Sequence, residues 1–268
     1  MTRRGYSEEA ADEATRQASR TETEEQAAGR VVSQAGELGY SADDVALLPD
    51  GITVDAGCGN PMAVAAIKPG ESVLVVGYRT GADIFLAGRA AGPKGHVVGI
   101  EESPEVVSTI RTAARAADLG TVEVRVGEDE NLPVADKTFD VAVTNCAVTF
   151  SFNKQRVLRE ILRALKPGGR LILCEPVLRR DAGKEAAATV RTGTEFLEGN
   201  LMADDYLRML KKTGFKKGRV VDETALPAAR LRRDDKTAAL LLSGVIDDAV
   251  LPVMAGALMV VKVQAIRP

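Results

Sequence analysis

From residue 72 the chain alternates short apolar runs with longer amphipathic stretches, and that rhythm limits its fold more than any other feature. "SVLVVG" (72–77) is a β-branched run, and "ADIFLAGRAAG" (82–92) has helical spacing, with Gly92 and Pro93 as stop signals. "HVVGIE" (96–101) predicts a second strand. Ser103-Pro104-Glu105 then opens a helix through about Leu119, Ser103 suiting the cap and Pro104 the first turn. "VEVRV" (122–126) and "FDVAVTN" (139–145) predict a third and a fourth strand. "KQRVLREILRALKPGG" (154–169) predicts an amphipathic helix closed by its Lys-Pro-Gly-Gly, and "RLILCEPV" (170–177) a fifth strand. Strands alternating with helices predict an α/β fold, a doubly wound and mainly parallel sheet. Runs as apolar as "VLVV" and "LIL" suit strands covered on both faces.

The flanks read differently. Residues 1–38 are expected to form an N-terminal polar or helical extension, and 39–268 the main domain. After residue 176 the rhythm breaks, and "RRDAGKEAAATVRTGTEF" predicts a small cap or insertion over 178–202. "ADDYLRMLKKTGF" (203–215) predicts a helix ending at Gly214, "KGRVVDETAL" (217–226) a strand, and "LRRDDK" (231–236) a charged surface loop. "GALMVVKVQAI" (256–266) predicts a last strand, completing an antiparallel pair at the sheet edge.

A formal net charge of −3 gives no field that draws nucleic acid or an anionic membrane. No apolar run is long enough to span a bilayer, and the first residues lack the apolar core of a signal peptide. Cys58, Cys146 and Cys174 are an odd, widely spaced set, which points to a reducing cytoplasm rather than to a disulfide framework. The single histidine, His96, lies in "GPKGHVVGI". One histidine in a turn excludes a His-based metal site and a Ser–His–Asp arrangement, so no metal is expected. A small-molecule substrate is expected, with no nucleic-acid or membrane partner; oligomeric state is not legible.

In doubly wound sheets, ligands sit beyond the carboxyl ends of the strands, where strand order reverses. Four segments are expected at that edge. They are the loop Gly77-Tyr78-Arg79-Thr80-Gly81; Glu101-Glu102, where a carboxylate can accept two ribose hydroxyls; "GEDENLPVAD" (127–136), presenting Glu128 or Asp129 to an amino group on a base; and "TNCAVTF" (144–150).

In this order, "SVLVVG", the acid closing "HVVGIE", "GEDENLP", "FDVAVTN" and "LKPGGRLIL" resemble class I S-adenosylmethionine-dependent methyltransferases. "LGYSADD", "DGITVDAGCGNP", "IKPGE", "NCAV" and "VKVQAIRP" are similar to the arsenite methyltransferase family, from about Gly39 to Pro268. The resemblance implies S-adenosylmethionine as cofactor, with Gly77, Arg79, Gly81, Glu101, Glu128 and Asn145 around it, and Tyr40 at a position that closes over it. It implies Cys58 and Cys146 as the catalytic thiols facing the acceptor. The family's third arsenic thiol falls on Phe196, and Cys174 lies outside the family's set. The family's loop reads Asp-Leu-Gly-Ser-Gly-Gly-Gly. Val75, Tyr78, Arg79 and Thr80 depart from it, while Gly77, Gly81 and Asp83 remain.

Glycines in such a loop let backbone approach a ligand, so the replacements are read as a degenerate cofactor loop remodelled for weak, repositioned or different binding; the other reading is drift, with Arg79 turned to solvent. Two functional readings follow. One is a methyltransferase similar to arsenite methyltransferases, acceptor open, with weak arsenite binding expected from Phe196. The alternative is a diverged protein of the same fold that transfers no methyl group and binds or transforms another small molecule.

Overall fold

The computed structural model describes residues 35–54, 57–77, 81–194, 202–232 and 234–268. Seven strands form one sheet: β1 (Ser72–Gly77), β2 (His96–Glu101), β3 (Val122–Val126), β4 (Phe139–Asn145), β5 (Leu165–Leu178), β6 (Lys216–Ala225) and β7 (Leu258–Ile266). Their order is β3-β2-β1-β4-β5-β7-β6. The first five run parallel, and β7 lies antiparallel between β5 and β6. This is the doubly wound sheet that the alternation predicts, with the antiparallel pair at its edge.

The helices in chain order are α1 (Ala42–Ala46), α2 (Met62–Ala65), α3 (Gly81–Ala91), α4 (Pro104–Ala116), α5 (Ala147–Phe150), α6 (Lys154–Ala164), α7 (Lys184–Gly193), α8 (Ala203–Thr213), α9 (Ala228–Leu231), α10 (Asp235–Leu242) and α11 (Val250–Ala257). Successive side chains of a strand point to opposite faces, so β1 serves two cores. Val73 and Val75 pack with Ile84 and Phe85 of α3 and Ile110 of α4. Leu74 and Val76 pack with Leu158 and Ile161 of α6 and Tyr206 and Leu210 of α8. At Gly99 of β2 a Cβ would collide with Ile84, so the glycine lets α3 lie close on the sheet.

Ser103 caps α4 by accepting the Val106 N–H at 3.2 Å, with Pro104 in the first turn as expected. The helix stops at Ala116, short of Leu119, because Asp118 turns into the left-handed region at φ 51. α8 ends at Gly214, φ +116, as the glycine predicts. β5 starts at Leu165, earlier than "RLILCEPV" suggests. Leu165 already pairs with Phe139, and a register shift before Val141 takes up the Lys-Pro-Gly-Gly stretch. Lys166 holds the kink by donating to both Asp140 carboxylate oxygens, at 2.8 and 2.9 Å.

The cap is built from two separate segments. Val190 of α7, Leu231 of α9 and Leu251 and Met254 of α11 share one apolar cluster. Thr237 of α10 donates its hydroxyl to the Gly193 carbonyl at 2.8 Å, bolting the later segment to the earlier one. "LRRDDK" is therefore not a surface loop. Leu231 and Asp234 are buried, and Asp234 caps α10 by accepting the Thr237 N–H at 2.9 Å. Of the expected 178–202 cap, 195–201 lie outside the described residues, as do residues 1–34 of the expected extension. Ala35 and Leu38, which are described, are buried with Tyr40, Ala82 and Leu86.

Candidate active site

Strand order reverses between β1 and β4, which places a ligand crevice beyond Gly77 and Asn145, a register pair. The same level of the sheet runs on to Cys174, paired with Asn145. Val76 pairs with Ile100, so Glu101 ends β2 beside Gly77. The expected edge is thus assembled from Glu101, Gly77, Asn145 and Cys174.

Glu101 is buried, and its Oε1 accepts the N–H groups of Glu102 at 3.0 Å and Ser103 at 3.3 Å. These bonds fix the carboxylate at the strand end. In the following loop Glu128 is exposed and bridges to Asn131, while the next residue, Asp129, is half-buried. Burial, together with the charges of Glu102, Glu101, Glu175 and Glu130, pushes the Asp129 carboxyl up to about 8. Asp129 is therefore the acid of this loop that faces the other acids. Glu130 is engaged in a different task, accepting from the Ser151 hydroxyl at 2.7 Å and the Asn153 N–H at 2.9 Å.

Asn145 is a hub. Its Oδ1 accepts the Cys58 N–H at 3.0 Å, and its Nδ2 donates to the Gly59 carbonyl at 2.9 Å and to Asp83 Oδ2 at 3.0 Å. Tyr40 donates its hydroxyl to Asp83 Oδ1 at 2.6 Å. Burial raises the Asp83 carboxyl to about 6, against the bonds from Tyr40 and Asn145, which lower it. Both bonding positions of the Asn145 side chain are thus committed to the protein, and Tyr40 locks α3 to the 57–60 loop. Gly57, at φ +79, is required there: a Cβ would lie 2.5 Å from Asn145 Nδ2.

All three cysteines meet in one buried cluster. The Cys58 Sγ is 3.6 Å from Asn145 Oδ1 and 3.5 Å from the Cys174 carbonyl, in the cluster that also holds Cys146. Burial pushes the Cys58 thiol well above its ordinary value and Cys146 to about 11. Cys146 itself sits in the left-handed region, φ 64, as the residue before α5. Glu175 holds that turn: its carboxylate accepts the Val148 N–H at 3.1 Å and the Thr149 N–H at 2.9 Å. Burial raises Glu175 to about 7. Among the described residues no group of three or more His, Cys, Asp or Glu side chains is arranged to hold a metal ion.

Arg79, with Tyr78 and Thr80, and Phe196 lie outside the described residues. Gly81 opens α3 and is buried, with Ile110 Cγ1 3.5 Å from where its Cβ would stand. Val75, which departs from the family's loop, is packed in the core beneath α3. Sequence reasoning passed over Glu175 and Arg230. Glu175 does leave a signal, since an acid interrupts the apolar run "LILCEPV"; Arg230, in "ALPAARLRR", leaves none.

Residues 67–214 match a family model described as a methyltransferase domain. The chain belongs to this methyltransferase family. It is 40% identical over 183 residues to an arsenite methyltransferase of Halobacterium salinarum, a match that takes in 68% of this chain and 47% of that one. It is 30% identical over 174 residues to an arsenite methyltransferase of Aquipseudomonas alcaligenes, covering 62% of this chain and 50% of the other. The chain thus spans about half the length of the curated relatives it matches. Among solved structures, an arsenic (III) S-adenosylmethionine methyltransferase from Chlamydomonas reinhardtii shares the fold, with a TM-score of 0.59 at 24% identity over 87% of this chain and 72% of that one. Beyond the family, the chain is similar to arsenite methyltransferases. No helix among its described residues is long and apolar enough to cross a membrane.

Proposed function

We propose that this methyltransferase transfers a methyl group to a soft trivalent arsenic centre held by Cys58, Cys146 and Cys174. The observation that carries the reading is the meeting of all three thiols in one cluster beside the Gly77–Asn145 edge. Phe196 removes the family's third thiol from its usual position, and Cys174, brought up by β5, stands in for it. Thiols are the natural partners of so soft a centre. Their raised pKa values are no obstacle. Each As–S bond formed from arsenous acid releases one hydroxide, which leaves with the thiol proton as water.

The chemistry of the donor set fits the cofactor. S-adenosylmethionine, when bound, supplies an electrophilic methyl group on a sulfonium. Glu101 is fixed where it can accept ribose hydroxyls, and the acids around Asp129 give the crevice a negative field suited to a cation. Glu128 or its half-buried neighbour Asp129 meets the amino group of the base. Gly77 and Gly81 border the cofactor, and Asn145 acts by holding the Cys58 loop. With the arsenic lone pair as nucleophile, rate enhancement comes mainly from alignment.

Calorimetric titration with arsenite, followed by a methylation assay using isotope-labelled cofactor, tests the reading. Tight binding that weakens about tenfold or more in Cys174→Ser is expected. Binding indifferent to Cys174, or absent altogether, would sink it.

A further inference from the structure

Residues 57–60, which carry Cys58, form neither helix nor strand. Asn145 holds the Cys58 N–H and the Gly59 carbonyl, and Asn60 donates its side-chain amide to the Gly39 carbonyl at 3.1 Å. A further tether comes from far along the chain. Arg230, in α9 of the cap, donates Nε–H to the Gly57 carbonyl at 2.6 Å. Its residue is only 6% exposed, so a full charge is buried beside the thiol cluster. A buried charge is retained only where hydrogen bonds and neighbouring groups use it.

We propose that Arg230 is a positioning residue of the acceptor site, by which the cap sets the Cys58 loop and places its thiol against Cys146 and Cys174. This rests on the reading of Cys58 as an acceptor ligand.

The test is labelling of the native full-length chain with N-ethylmaleimide, read thiol by thiol from peptide masses, in the unaltered protein, Arg230→Met and Arg230→Lys. Arg230→Met keeps an apolar stem about as far as Nε and removes both the donor and the charge. Cys58 should label about tenfold faster in Arg230→Met, while Cys174, held in β5, changes by less than about twofold. Arg230→Lys, which retains a donor and the charge, should recover most of the protection. Equal Cys58 labelling in all three proteins overturns the proposal. So does a uniform rise at all three thiols, which would mark general loosening. If Arg230→Met does not fold, Arg230→Leu, which also lacks a donor, takes its place: a rise confined to Cys58 is expected, and no change refutes the proposal. Arsenite and S-adenosylhomocysteine titrations run in parallel. Arg230→Met should weaken the first and leave the second unchanged. An unaltered protein that binds no arsenite removes the arsenic reading but leaves the labelling result intact.

Discussion

The Asn145 side-chain carbonyl accepts the backbone N–H of Cys58 at 3.0 Å, joining the end of β4 to the loop that carries the first thiol. Because the same amide donates to Gly59 and to Asp83, one side chain ties the thiol loop to the helix that follows the cofactor loop. Asn145→Ala strands a buried N–H and a carbonyl together. A stability loss of about 2–4 kcal/mol is expected, since each buried unsatisfied group costs about 1–3 kcal/mol. Urea denaturation checks it, and a loss below about 1 kcal/mol would mean that the loop finds other partners.

Tyr40→Phe removes the hydroxyl that stabilises the Asp83 carboxylate. Asp83 already has its folded pKa raised, so the stability it contributes is complete below its ordinary value of 3.8 and is lost as pH rises through about 6. Without Tyr40 that loss grows. Tyr40→Phe should cost about 1–2 kcal/mol at pH 8 and less at pH 4.5. Denaturation curves at the two values measure the difference; equal losses would show that the Tyr40–Asp83 bond carries no charge-dependent energy.

Asp129 gives a second pH dependence with the same sign. Its carboxyl holds a proton in the folded chain up to about pH 8, whereas its ordinary value is 3.8. Stability from this group is therefore complete below the ordinary value and disappears as pH climbs through 8. Asp129→Asn cannot ionise. It should be more stable than the unaltered protein by about 1 kcal/mol or more at pH 9, with no gain at pH 3.5. Guanidinium melts at both ends of the range suffice, and a gain that is the same at both would remove ionisation as its cause.

Glu101→Gln keeps an acceptor for the Glu102 and Ser103 N–H groups but loses the charge. If the carboxylate meets the ribose, S-adenosylhomocysteine should bind about tenfold to a hundredfold more weakly, matching the roughly 1.5–3 kcal/mol of a charge-assisted bond. The melting temperature should move little. Unchanged affinity in calorimetry would place the nucleoside elsewhere on the edge.

What the sequence made legible is what local chemistry decides. The strands from β1 to β4 match the apolar runs residue for residue, and Ser103 and Gly214 mark helix ends by capping and by left-handed backbone. Glu101 ends β2, as its run of apolar residues indicates, and Cys146 follows directly on β4. What escaped depends on partners distant in sequence. Cys174 reaches the thiols only because β5 pairs with β4 in a register that sets it opposite Asn145. Charged residues in "ALPAARLRRDDK" look solvated until the fold shows Arg230 donating to a carbonyl and Asp234 capping a helix within the protein.

The antiparallel β6–β7 pair has a consequence for how such a protein changes over time. Ala225 and Met259 are partners in the register, so the chain departs from the sheet and rejoins it at neighbouring points on the ligand edge. Lengthening or replacing an excursion closed in this way disturbs no strand register, and its entropic cost grows only slowly with length. The half of the crevice formed by β1, β2 and β3 shares no covalent neighbour with that excursion. Arg230, which donates to the Gly57 carbonyl beside Cys58, lies on that excursion, so a group that holds the thiol loop sits on a segment that can be exchanged without touching the strand pairing.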